Sequence, residues 1–234
     1  MKLPISKRLL LCAELVPQGA RVADIGTDHG YLGIHLLQTG VSPHVIACDL
    51  RVGPLENARR NAHVFGAEAQ MDFRLSDGLA EVRSEEIDCA VLAGMGGDLI
   101  IRILSQCAWR KRENLTFVLQ PQSAGNVLRR WLSEEGFDIL REEPVRDGNF
   151  LYTVMEAQSG AVQALTPGAE YASPALLASG SPLVRDYLLR VENALQETVR
   201  GLQRAEKKRP ERLAYFRQAL LEIQEMRNTY GEHS

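Results

Sequence analysis

The chain has few of the features that would commit it to several common classes. Its four cysteines, Cys12, Cys48, Cys89 and Cys107, form no C-x-x-C pair. That scatter argues against a zinc site. The apolar runs around Cys48 and Cys89 read as buried strands carrying reduced thiols, as expected in the cytoplasm. No apolar run is long enough to cross a bilayer. The first sixteen residues are amphipathic but include Lys2, Lys7, Arg8 and Glu14, so they lack the core and cleavage site of a secretory signal. No membrane and no metal are therefore expected as partners. Positive charge is not in excess either. The 27 Lys and Arg against 30 Asp and Glu leave a net charge of −3, so any RNA binding must rest on local patches. The P-loop pattern G-x-x-x-x-G-K-[ST] is absent, which argues against a nucleotide triphosphatase.

What is present is an alternation of short apolar strands and helices. Helical spacing over Ser6 to Val16 ends at Pro17 and Gly19. Strand-like runs follow at Arg21 to Gly26, His44 to Asp49, Met71 to Leu75, Ile87 to Ala93 and Thr116 to Gln120. Helices are expected between them at Tyr31 to Gln38, Pro54 to Phe65 and Asp98 to Cys107, and after them at Val127 to Glu135. Strands that are apolar throughout imply a parallel sheet covered on both faces. Phe137 to Pro144 and Phe150 to Ala157 flank the turn Arg146-Asp147-Gly148-Asn149 and read as a hairpin. A mostly parallel, seven-stranded sheet closed by such a pair is the class I methyltransferase variant of the Rossmann-like α/β fold. Residues 1–160 are expected to form this domain and 161–181 a loosely packed linker. In 182–234, Val184, Leu188, Val191, Leu195, Thr198, Leu202 and Ala205 alternate steps of four and three. Leu213, Phe216, Leu220 and Ile223 continue the seam beyond Pro210. This predicts an antiparallel coiled-coil hairpin of two helices.

The candidate binding site is read from three strand ends. Asp24-Ile25-Gly26-Thr27-Asp28-His29-Gly30 joins the first strand to a helix, and its glycines allow a sharp turn and close approach of a ligand. Asp49, followed by Leu50, ends the second strand, where a carboxylate can accept from a ribose diol. Ser76-Asp77-Gly78 follows the third strand, where an acid can accept from the amine of adenine. Each feature alone is weak, since an Asp after a strand is commonly a turn or cap residue. Their order and spacing together point to a nucleoside cofactor. Asp28 stands where a dinucleotide site would carry the second glycine of G-x-G-x-x-G. A carboxylate there repels a pyrophosphate and suits a ligand bearing an ammonium and a sulfonium. Asp24 can take the ammonium.

The runs VADIGTDHGYL (Val22 to Leu32), RVGPLENARRN (Arg51 to Asn61), RLSDGL (Arg74 to Leu79), LAGMGGDLIIRIL (Leu92 to Leu104), LQPQ (Leu119 to Gln122) and LRRWL (Leu128 to Leu132) occur in that order. Over about the first 157 residues they resemble the bacterial tRNA (adenine-22-N1)-methyltransferases, the TrmK family. Gly33 departs from the proline expected after Tyr-Leu. The resemblance implies S-adenosylmethionine as cofactor, tRNA as partner, and methyl transfer to N1 of an adenine. The [ND]-P-P-[YF] motif of many amino-methylating enzymes is replaced by Ala93-Gly94-Met95-Gly96-Gly97. A ring nitrogen with an in-plane lone pair needs no carbonyl clamp.

The expected cofactor set is thus Asp24, Gly26, Thr27, Gly30, Asp49, Leu50, Ser76, Asp77, Gly78, Ala93 and Gly94. The expected catalytic set is Asp28 facing the new positive charge, His29 against the base or its proton, and Met95 as a wall beside the methyl. Against these stand simpler roles: Asp28 as a helix cap, His29 as a loop support, Met95 as packing. Arg102, Arg129, Arg130, Lys7 and Arg8 are candidate phosphate contacts. The basic run Arg204 to Arg212 is a candidate grip on tRNA or simply a solvated turn. A monomer is expected. The rival readings are the same fold acting on a small molecule or another RNA, and a non-catalytic cofactor-binding adaptor.

Overall fold

The computed structural model describes residues 3–205 and 209–232. Helix α1 (Lys7–Glu14) starts where Ser6 Oγ accepts the N–H of Leu9. Then β1 (Val22–Ile25), α2 (Tyr31–Gln38), β2 (Val45–Asp49), α3 (Val52–Val64), β3 (Met71–Leu75), β4 (Cys89–Gly96), α4 (Gly97–Gln106), β5 (Thr116–Ser123) and α5 (Gly125–Glu134) alternate as expected. The antiparallel pair β6 (Phe137–Asp147) and β7 (Phe150–Ser159) follows, closed by a two-residue turn at Gly148-Asn149 with Gly148 at φ +57°.

The sheet runs β3-β2-β1-β4-β5-β7-β6, with β7 antiparallel to both neighbours and every other pair parallel. Period-two alternation splits the core into two layers. Ala23, Ile25, Ile46, Cys48, Ala90 and Leu92 pack with Ile100, Leu104, Leu128 and Leu132 of α4 and α5. Val22, Val45, Ala47, Cys89 and Val91 pack with Cys12, Leu15, Ile34 and Leu36 from the α1–α2 side. Every residue of β1 and β2 is buried, which is why those strands carry no polar alternation. The connections reverse direction between β1 and β4. A crevice therefore opens at the carboxyl ends of these strands.

Two local departures from expectation have physical causes. Gly33 sits where α2 lies tightest on the sheet: a Cβ there would come 2.9 Å from both Met71 Cε and Val45 Cγ1. Strand β4 also runs past Ala93 to Gly96 with shifts of register against β5. Ala93 pairs with Gln120 but Met95 with Pro121, so Gly94 is bulged; Gln122 is skipped in turn before Gly96 meets Ser123.

The segment 161–181 is packed rather than loose. It contains α6 (Pro174–Ala178), capped by Ser173 Oγ accepting the N–H of Leu176, and Ala172 and Leu176 are fully buried. Its small residues let the backbone lie close to β6 and to α7 (Leu183–Arg204). Helix α8 (Pro210–Glu232) returns antiparallel to α7: Tyr230 donates to the carbonyl of Ser181, and Gln224 to the carboxylate of Glu192. The seam follows Val184, Leu188, Val191 and Leu195 and then buries Val199 rather than Thr198. An untwisted helix drifts against a strict heptad, and a second step of four corrects it. Residues 206–208 of the basic run lie outside the described residues.

Candidate active site

The glycine turn after β1 hangs from the next strand. The N–H groups of Gly26 and Thr27 both donate to the carbonyl of Cys48, at 2.8 and 3.0 Å, while Ser76 N–H donates to the carbonyl of Asp49 at 2.9 Å. The tips of β1, β2 and β3 are thus tied in series, which fixes their acids relative to one another. Gly26 has φ +76°, and a Cβ there would lie 2.5 Å from the methyl of Met95. Met95 therefore closes over the turn that a side chain at Gly26 would fill. Gly78, at φ +61°, would put a Cβ 2.6 Å from Ile103. It is fixed by packing as much as by any ligand.

A cavity of about 250 Å³ gathers Asp24, Gly26, Thr27, Asp28, His29, Ala93 and Gly94, all expected, with Arg8, Tyr31 and Gln122. Asp24 is buried and accepts from Thr27 Oγ1 at 2.7 Å. Burial pushes its carboxyl up to about 6; the Thr27 hydroxyl opposes the shift and nearby Asp49 adds to it. Asp28 adopts φ +49°, is 63% exposed at the side chain, and lies 3.5 Å from His29 Nε2. It does not cap α2, whose N-cap is Gly30 with no side-chain hydrogen bond. His29 stacks on Tyr31 with centroids 5.5 Å apart, giving the cavity an aromatic edge.

The remaining expected residues lie along the sheet edge outside this cavity. Asp49 Oδ1 accepts the N–H of Arg51 at 2.9 Å, and Leu50 beside it is 63% exposed. Asp77 is paired with Arg102 at 3.0 Å. Ser76 is absorbed by its own turn: its hydroxyl donates to the carbonyl of Gly78 and accepts from the N–H of Glu81. Gly30 is pressed against α3, with a Cβ position 3.0 Å from that of Ala58.

The bulge at Gly94 is held by a group that sequence patterns do not single out. Buried Gln120 accepts from the Gly94 N–H at 3.0 Å and from Arg8 Nη1 at 2.6 Å on the same oxygen. Arg8, expected on an RNA backbone, thus lies inside the cleft, while Lys7 is exposed. Arg129 is a correction. It is 1% exposed, makes a bidentate pair with Glu142, and also donates to Thr153, to Tyr187 and to the carbonyl of Glu170. It is therefore a buried structural cation and not a surface contact for phosphate. Arg130 lies 3.6 Å from Glu170, and Arg102 is engaged by Asp77. Among the described residues there is no cluster of three potential metal ligands, and no helix is long and apolar enough to cross a membrane.

The donor set suits an adenosyl sulfonium: a buried acid, Asp24, for an ammonium, and a second acid, Asp49, beside an exposed leucine for a ribose and ring. Comparison with known proteins agrees. Residues 5–155 match a family model described as a methyltransferase domain. The tRNA (adenine(22)-N(1))-methyltransferase of Bacillus subtilis (strain 168) is 31% identical over 194 residues, covering 83% of this chain and 79% of that protein. The crystal structure of the B. subtilis m1A22 tRNA methyltransferase TrmK superposes with a TM-score of 0.78 at 26% identity, covering 99% of each chain. A putative tRNA (m1A22) methyltransferase of Streptococcus pneumoniae, in complex with S-adenosyl-L-methionine, gives 0.80 at 29% identity, covering 95% of this chain and 99% of that one. On its strand-end acids, its sheet order and these matches, this chain belongs to the tRNA (adenine(22)-N(1))-methyltransferase family.

Proposed function

We propose that this protein transfers a methyl group from S-adenosylmethionine to N1 of adenine 22 in tRNA. The observation that carries this reading is the single cavity in which Asp24 and the Gly26 turn meet Asp28, His29, Tyr31 and the Gly94 bulge. One side fits the donor and the other a planar base. When bound, S-adenosylmethionine supplies an electrophilic methyl that the in-plane lone pair of adenine N1 can take.

The protein's share is positioning and charge. Asp24 would hold the ammonium, Asp49 would accept from the ribose diol with Leu50 beside the adenine, and Asp77, released from Arg102, would accept from the exocyclic amine. Gly94 keeps the wall thin where a side chain would press on Arg8, the Cβ position being 3.2 Å from its guanidinium. Met95, seated on Gly26, limits movement on the donor side. The base gains positive charge as N1 is alkylated, and Asp28 faces that charge with His29 steadying its carboxylate. His29 and Tyr31 offer the base a flat edge. Adenine N1 is hidden in stacked or paired RNA, so the nucleotide must turn out to enter. A monomer acting on cytoplasmic tRNA is the working unit of this reading.

The test is incubation of the purified protein with unmodified tRNA and methyl-labelled cofactor, followed by digestion to nucleosides. N1-methyladenosine is expected. Label in another nucleoside would keep the reaction class and discard the target; no label in RNA would discard both.

A further inference from the structure

Gln122 lines two clefts. One is the cavity just described. The other, about 310 Å³, lies between the tip of β5, the first turn of α5, β7 and α7. Tyr152, Tyr171 and Tyr187 contribute to its walls, with Arg129 and Arg190. No carboxylate is among its lining residues, in a chain whose acids outnumber its bases. Arg129 is neutralised by Glu142. Arg190 is exposed, donates to the carbonyl of Leu151, and lies 5.2 Å from the centroid of the Tyr187 ring. Among the described residues it forms no ion pair with a carboxylate, so it leaves the cleft with a net positive charge. The cavity beside α8 has the opposite character, with Glu222 and Glu225 and no cation in its lining.

We propose that this second cleft holds the nucleotide next to the target adenosine, its base on the ring of Tyr152 and its phosphate at Arg190. The inference rests on tRNA being the substrate. Turning a nucleotide out of RNA leaves its neighbour without a stacking partner, and aromatic faces with arginine are the usual replacement. The volume is near the lower limit of ligand pockets, about 300–1,000 Å³, so it suits one nucleotide and not a helix. Because Gln122 is bulged out of β5, it stands between the clefts, where the linking phosphodiester would pass.

Equilibrium binding of unmodified tRNA, read beside cofactor affinity, tests this. Tyr152→Ala weakens tRNA binding about tenfold while cofactor affinity stays within about twofold, and Tyr152→Phe binds as the parent does. Arg190→Gln weakens tRNA binding and lowers the salt slope by about one. If Tyr152→Ala does not fold, Tyr152→Leu keeps the volume without the ring and carries the same expectation. Unchanged tRNA affinity in the Tyr152 and Arg190 variants overturns the proposal. So does a Tyr152→Phe loss equal to that of Tyr152→Ala, which would mark the hydroxyl rather than stacking. A parent protein that makes N1-methyladenosine while these variants bind tRNA normally would sink this inference alone.

Discussion

Asp24 is the group whose ionisation the fold most visibly opposes. Its carboxyl is raised from 3.8 to about 6, chiefly by burial. The charged form therefore costs stability in full above about pH 6, and the cost shrinks as pH falls from there and is lost below 3.8, where folded and unfolded states are both protonated. Asp24→Asn is expected to raise the thermal midpoint at pH 8 and to have little effect at pH 4, read by calorimetry of the free protein. A bound ammonium reverses the preference. Cofactor affinity of the parent should fall by up to about tenfold per pH unit below pH 6 and be flat in Asp24→Asn, whose binding is weak throughout. Titration calorimetry showing a flat parent profile between pH 5 and 7 would contradict the assignment. Asp28 calls for a different substitution, because its left-handed backbone tolerates Asn far better than Ala. Asp28→Asn should lower turnover about a hundredfold with cofactor affinity nearly unchanged. Equal losses in both would move Asp28 to the cofactor.

At the level of elements, the buried Arg129–Glu142 pair joins α5 to β6, and through Ser173 and Tyr187 it reaches the segment before α6 and helix α7. Removing one partner leaves a bare charge in the interior. Glu142→Gln should cost about 3–5 kcal/mol in urea unfolding, whereas Arg129→Met with Glu142→Leu should cost much less. Gly33 gives a second test. Gly33→Ala should destabilise by about 1–3 kcal/mol, and Met71→Val should recover part of that by vacating the space. These elements also show what a sequence can and cannot disclose. Strand ends and glycine turns are local, so the places of Asp24, Asp49 and Asp77 at the tips of β1, β2 and β3 are legible from spacing. Gln120 is not, because its partners Gly94 and Arg8 lie 26 and 112 residues away and meet it only through a bulge. Arg129 looked like a surface arginine beside Arg130. Its burial depends on Glu170 and Tyr187, 41 and 58 residues downstream.

For the whole molecule, the helical hairpin is not an appendage. Leu151 of β7 shares a core with Ala172, Leu176, Val184, Tyr187 and Ile223. Removing residues 181–234 would expose that core, so truncation cannot isolate the hairpin's part in RNA binding. Charge removal at its tip can. Arg204→Gln with Arg209→Gln should weaken tRNA binding and lower its salt dependence by about two, without altering cofactor affinity. Unchanged binding would leave the basic run as a solvated turn. The net charge of −3 makes such local patches necessary, since the molecule as a whole does not attract RNA.

Methyl incorporation into two transcripts of one tRNA, with adenine or guanine at position 22, tests the account most directly. About one methyl group per adenine-22 transcript and none on the guanine-22 transcript is the expected result. Equal incorporation into both would show that the cleft acts on another nucleotide.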